Sequence, residues 1–325
     1  MIARWCLALL LLPALAWAGA EPLDREMRRL EQARDLPAMQ ARIEQAADAE
    51  LAAPEGYFWR VRLALLADDG ARAEELLEQG LAAHPQSSLL VLQRSSLKSE
   101  GFGDVGAIGR MRLAREVRAG LERAVELDPD SVQARLGLAL YFINAPRIAG
   151  GGADRAEPHL AWIRERAPMD YFDLQATLAM SRGDMEAALD WLEQATRADP
   201  QARPRFRRAL ILIALQRYDE ARAVLDAIVE RAPSHAAAWY QLGRTSVLAE
   251  DRLEQGQAAL QRFLDTAPWP TDPSPAAAWW RIGQLHQLKG DTGQAREAYQ
   301  QALAMDRKFT RAAEALSALD DKNAQ

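Results

Sequence analysis

Cysteine is almost absent from this chain: Cys6 is the sole one among 325 residues, and it lies in an apolar N-terminal run. Its scarcity excludes a disulfide framework, a thiolate nucleophile in the body of the chain and a zinc site built on thiolates. Lysine is scarce as well. Of 40 basic residues only Lys98, Lys289, Lys308 and Lys322 are lysines, so cationic surface here means arginine. His84, His159, His235 and His286 are the only histidines. No two of them stand at helical ligand spacing and none belongs to an HExxH motif. His286 falls at a core position of its expected helix, which suits packing rather than ligation. No Gly-x-Ser-x-Gly elbow occurs, and no catalytic carboxylate pair stands out among the acids. The sequence therefore predicts no enzyme, no cofactor and no metal. A net charge of −6 without a dominant basic face gives no reason to expect a nucleic-acid partner.

The N-terminus has its own physics. Arg4 precedes the apolar run Trp5 to Leu15, and Ala16-Trp17-Ala18 and Ala18-Gly19-Ala20 are small-x-small cleavage signatures. Residues 1–20 are expected to be a cleaved signal peptide, placing the mature protein in the periplasm or outside the cell. Cleavage would remove Arg4 and Cys6 and bring the net charge to about −7. No internal stretch is apolar and long enough to span a bilayer. No stable membrane insertion is expected after cleavage, and Cys6 lacks the flanking residues a lipid anchor requires. The arginine bias and abundant alanine fit a GC-rich bacterial source.

The body of the chain repeats. Prolines 85, 129, 168, 200, 233 and 268 each have a leucine eight residues upstream: Leu77, Leu121, Leu160, Leu192, Leu225 and Leu260. Twelve residues upstream stand Ala73, Val117, Ala156, Ala188, Ala221 and Gly256, and a seventh unit carries Ala295 and Tyr299 with Arg307 in place of proline. The intervals are 44, 39, 32, 33 and 35 residues, then 39 to Arg307. Such a period means stacked helix pairs. In the clearest unit Trp279, Ile282, Gly283 and His286 share one helical face. Gly290-Asp291 supplies a break and a cap. Ala295, Tyr299 and Ala302 form the facing stripe.

These residues resemble the tetratricopeptide repeat, a helix-turn-helix module. Weaker copies include Phe172, Ala176, Gly183-Asp184 and Ala188, then Phe206, Tyr218 and Ala221, and also Trp239, Leu242-Gly243 and Gly256. Leu136-Gly137, Ala156 and Leu160 form another copy, and the two units ending at Pro85 and Pro129 have degenerate first helices. The expected fold is all-α, a right-handed α-solenoid of about seven helix pairs with capping helices. Its expected segments are a helical cap over 21–51, broken at Pro37, degenerate repeats over 52–130, repeats over 131–307, and a C-terminal cap helix and tail over 308–325. Leu23, Met27, Leu30, Met39 and Ile43 mark the first cap, and Ala312, Leu316 and Leu319 the last.

Three insertions interrupt the period, at 100–110, 144–154 and 269–275. The first two are glycine-rich and are candidate ligand loops, while the third, with three prolines, is expected to be an extended, stiff connector. Gly101 to Gly106 matches GxGxxG, yet the polar, helix-like run before it predicts an interhelical loop rather than a dinucleotide site. Arg203, Arg205, Arg207, Arg208 and Arg217 form an acid-free patch, read as a solvated face paired with neighbouring carboxylates.

The resemblance implies a concave groove lined by the residue after the first core aromatic and those following at helical spacing. On this chain it implicates Phe58, Asp173, Arg207, Tyr240, Arg244, Trp280 and Gln284. Trp239 and Trp279 occupy the core position. The expected function is a non-catalytic interaction scaffold that holds a protein or peptide partner in that groove. The alternative is a small-molecule or lipid-binding accessory to a transporter.

Overall fold

The computed structural model describes residues 22–103, 105–199, 206–266 and 269–323; the expected signal peptide, Pro200, Arg203, Arg205 and Pro268 lie outside them. Among the described residues there are helices and no strand. Helices α1 (Pro22–Ala33), α2 (Leu36–Glu44) and α3 (Asp48–Ala52) precede seven pairs. These are α4 (Pro54–Leu66) with α5 (Gly70–Ala83), α6 (Ser88–Glu100) with α7 (Ala107–Leu127), and α8 (Val132–Asn144) with α9 (Ala153–Arg166). Then come α10 (Pro168–Ser181) with α11 (Met185–Ala198) and α12 (Phe206–Ala214) with α13 (Tyr218–Arg231). The last are α14 (Ala236–Ala249) with α15 (Leu253–Asp265) and α16 (Pro275–Leu288) with α17 (Thr292–Met305), followed by α18 (Thr310–Asn323). The all-α helical repeat is as the sequence predicts. The chain divides into two compact units, residues 1–200 and 201–325.

The small/leucine pattern marks the face of each second helix that meets its partner. Ala73, Val117, Leu121, Ala156, Ala188, Leu192, Ala221, Leu225, Leu260, Ala295 and Tyr299 are wholly buried. Small residues let the paired backbones approach: a Cβ at Gly283 would overlap the Tyr299 ring, and one at Gly243 would overlap Leu260. The prolines close the second helices from outside. Helix α5 ends at Ala83 before Pro85, α7 at Leu127 before Pro129 and α13 at Arg231 before Pro233, while Pro168 opens α10.

The turns follow one chemistry with varied residues. Gly183 and Gly290 take left-handed backbone (φ +81° and +80°), and Asp184 and Asp291 then cap α11 and α17 by accepting from Ala187 N and Gln294 N. Arg34, Asp68 and Gln216 adopt the same backbone (φ +58° to +59°) without glycine's freedom, at a cost of roughly 1 kcal/mol each.

Several expectations need correction. The first cap breaks at Arg34-Asp35 rather than at Pro37, because Asp35 accepts from Ala38 N and Pro37 sits in the first turn of α2. The first helices of the two N-terminal repeats, α4 and α6, form at 13 residues each although their repeat pattern is degenerate. The 269–275 segment is not an extended connector. Trp269 is buried and its carbonyl accepts from Asp272 N at 2.8 Å, while Asp272 Oδ2 accepts from Trp269 N. A side chain that large gains more from burial than the prolines gain from extension.

The C-terminal repeat carries a pH signature. Burial pushes the Tyr299 phenol up to about 12, and its hydroxyl donates to Gln287 Oε1 at 2.6 Å. A folded value above the unfolded one favours the protonated, folded form, so its stabilisation is intact below pH ~10 and is lost as pH rises towards ~12. Urea titrations at pH 9 and pH 11.5 are expected to differ by ~2 kcal/mol through this group. A Tyr299→Phe variant should remove most of that pH dependence.

Candidate cationic groove on the C-terminal repeats

In the second unit, α14, α16 and α18 bring aromatic rings and guanidinium groups together. The Trp280 ring packs edge-on against Phe309 at 6.0 Å and beside Leu316. The Arg281 guanidinium lies 4.2 Å from the Trp280 ring centroid and that of Arg311 at 5.3 Å, both within cation–π range. Arg281 Nη1 donates to Gln284 Oε1 at 2.8 Å, and the Tyr240 hydroxyl is close enough to favour the guanidinium's charged form. Arg244 Nη1 donates to Gln241 Oε1 at 3.0 Å.

The electrostatics are one-sided. Burial holds Arg281 below its usual pKa and the Tyr240 hydroxyl opposes this, while Arg244 and Arg311 push it lower; it remains charged at neutral pH. Among the described residues, no carboxylate pairs with Arg244, Arg281 or Arg311. The buried Arg281 Nε has no acceptor. Three cations left unpaired around half-buried aromatic surface can bind an anion bidentately and stack its apolar neighbours. Elsewhere in the same unit cations are neutralised: Arg222 contacts Asp219 and Asp251, Arg217 pairs with Glu220, and Arg296 with Asp320. The Arg217 pairing agrees with the solvated-face reading of the arginine run.

The seven residues implicated from sequence divide between the two units. Trp280, Arg244 and Gln284 join the cationic cluster, and Tyr240 contacts it only through its hydroxyl. Tyr240 is buried at 7% exposure and packs edge-on against Phe263. Trp239 is half-buried and donates from Nε1 to Pro233 O. Trp239 packs against the core as expected, and Tyr240, expected in the groove, is buried in the same core. Arg207 is half-buried on α12. In the first unit Phe58 packs against Trp59 at 5.0 Å and accepts from Gln93 Nε2 through its carbonyl, while the Asp173 carbonyl accepts from Thr177 Oγ1. Phe58 and Asp173 lie in the first unit and the other five in the second.

Arg281 and Arg311 are not among the positions the family resemblance implicates, although the sequence carries a signal for them. No acid occurs between Glu230 and Glu250 or between Asp272 and Asp291, so Arg244 on α14 and Arg281 on α16 have no carboxylate on their own helices; Arg311, on α18, has no such mark.

Among known proteins, residues 179–244 and residues 276–309 match two models of the tetratricopeptide repeat. No curated protein matches the sequence. The chain is similar in fold to the human IFIT1 dimer with m7Gppp-AAAA, at TM-score 0.57 and 15% identity, covering 91% of this chain and 71% of that one. It is likewise similar to the APC/C hetero-tetramer Cut9–Hcn1, at TM-score 0.57 and 15% identity, covering 91% of this chain and 55% of that one. A MamA structure from Desulfovibrio magneticus RS-1 aligns at TM-score 0.43 and 22% identity, over 54% of this chain and 97% of that one.

Proposed function

We propose that this chain, a tetratricopeptide-repeat protein, is a non-catalytic interaction scaffold that holds an acidic, extended segment of a protein partner against α14, α16 and α18. The observation that carries this reading is the convergence of Arg281 and Arg311 on Trp280, with Arg244 close enough to repel Arg281 and no carboxylate among them. Carboxylates of the partner would complete the guanidinium groups, and an apolar side chain beside them would stack on the Trp280–Phe309 surface. The scaffold acts outside the cytoplasm, delivered by the N-terminal leader.

Fluorescence anisotropy with matched peptides tests the groove. A peptide alternating glutamate and leucine should bind, and binding should weaken as salt rises from about 50 to about 500 mM. A lysine–leucine peptide of the same length should not. Equal binding of the two would overturn the reading. Cell fractionation tests export: a periplasmic product shortened by the leader supports it, and a full-length cytoplasmic product overturns it.

A further inference from the structure

Helix α7, which follows the first glycine-rich insertion, meets the second insertion at one edge of the first unit. The buried Tyr141 hydroxyl lies 3.0 Å from Ala114 O and 2.7 Å from Ala149 O, and it ties the N-terminal half of α7 to the single 3-10 turn Arg147–Ala149. Gly150 turns with φ +87°, and the Arg118 guanidinium lies where a Cβ would stand. Helix α7 has 21 residues where the second helices of the other pairs have 13 or 14. Its first two turns have no counterpart in the other pairs.

What this edge presents is unusual for the chain. Ile108 is 89% exposed and Ile148 78%; the next large hydrophobic among the described residues, Met305, is 60% exposed. The same two segments carry Arg110, Arg112 and Arg115 on α7 and Arg147 in the turn, all exposed. Their contacts are loose or with backbone: Arg112 lies 3.8 Å from Glu116, Arg147 lies 3.3 Å from Asp154, and Arg110 donates to Val105 O. Residues 107–122 hold four arginines against Glu116 and Glu122, and residues 145–155 hold two against Asp154. That is an excess of three positive charges in a chain of net charge −6.

We propose that this edge docks the protein on an anionic phospholipid surface, with Ile108 and Ile148 entering the headgroup–acyl boundary and the arginines meeting lipid phosphates. The two isoleucines stand on a helix start and a turn tip rather than in a cleft. Such tips suit a fluid surface that closes around them, whereas a protein partner would need a matching hollow for each. The arginine excess has the sign that anionic headgroups attract. No helix of the described residues is long and apolar enough to cross a membrane, so the contact is peripheral. It belongs to the first unit and is independent of the Arg281 groove.

Co-sedimentation of the full chain with vesicles of phosphatidylcholine and phosphatidylglycerol (about 7:3), against pure phosphatidylcholine, tests it. The protein should partition at least tenfold more strongly onto the anionic vesicles. The double variant Ile108→Asp/Ile148→Asp should lower partitioning at least tenfold, and Arg112→Ala and Arg147→Ala about fivefold each. The N-terminal apolar run contributes equally to wild type and variants, so the difference reads this edge alone. All four side chains are exposed, and circular dichroism should be unchanged; Ile108→Ser/Ile148→Ser gives the same comparison if the aspartate variant misfolds. Unchanged partitioning of the isoleucine variants, or equal partitioning onto neutral vesicles, would overturn the proposal. Self-association abolished by the isoleucine variants, without vesicle binding, would also overturn it.

Discussion

Replacing Trp59 with alanine is expected to destabilise the first unit by about 4–6 kcal/mol, at the upper end of what a single substitution does. Trp59 is 1% exposed and is among the largest fully buried side chains of the described residues. Truncating a buried tryptophan costs roughly 3–5 kcal/mol through lost transfer energy and the cavity left behind. A second loss adds to the first. Trp59 Nε1 donates to Asp24 Oδ1 at 2.9 Å, Asp24 is itself 3% exposed, and its other oxygen accepts from Arg28 at 2.7 Å. Removing the indole leaves one carboxylate oxygen buried without a donor, at about 1–3 kcal/mol. Trp59→Phe separates the two losses: it keeps most of the volume and gives up the hydrogen bond, so about 1–3 kcal/mol is expected. Urea unfolding followed by circular dichroism reads both values. A loss below ~2 kcal/mol for Trp59→Ala would mean that α1 is not fastened to α4 through this bond.

The Trp59–Asp24 bond also shows where sequence reasoning stops. The stripe Ala73–Leu77 and its later copies are legible because close helix packing needs small and branched apolar residues at fixed spacing, and that requirement is written locally. Asp24 reads as one more acid on a charged cap, and only the fold brings it beside an indole 35 residues away. Tyr240 is buried in the core, against expectation, for a related reason. How far each of two adjacent aromatics enters the core depends on the rotation of α14 about its axis, set by Phe263 of α15 on one side and α16 on the other. A spacing of one residue fixes only their separation, about 100°. The turns at Asp68 and Gln216 carry no sequence mark because a non-glycine residue bears the left-handed strain there. Trp280, Arg244 and Gln284 are legible by family position. Arg281 becomes apparent only when the missing carboxylates of α14 and α16 are counted against the cations those helices carry, and Arg311, on the acid-bearing α18, only from the fold.

That imbalance makes Arg281 the decisive residue for the groove. Arg281→Glu is expected to abolish measurable binding of an acidic peptide, and Arg281→Ala to weaken it at least thirtyfold, or about 2 kcal/mol or more, as for the loss of one partner of a half-buried charge pair. Arg281→Lys should fall between, since it keeps the charge and loses the planar fork that meets a carboxylate with two bonds. Stability should not follow affinity. Burial and the neighbouring Arg244 and Arg311 already disfavour the charged form of Arg281, so truncation relieves repulsion while giving up the contact of its stem with Trp280. The two effects oppose, and the unfolding free energy should move by less than ~1 kcal/mol. Arg296→Ala, which removes the partner of Asp320 on α17, should leave peptide affinity unchanged and serves as the control. A purely structural role for Arg281 gives the opposite pattern, with stability lost in Arg281→Ala and affinity lost only in proportion to the unfolded fraction. Anisotropy and urea unfolding on the same four proteins therefore separate a cation kept for a ligand from one kept for the fold.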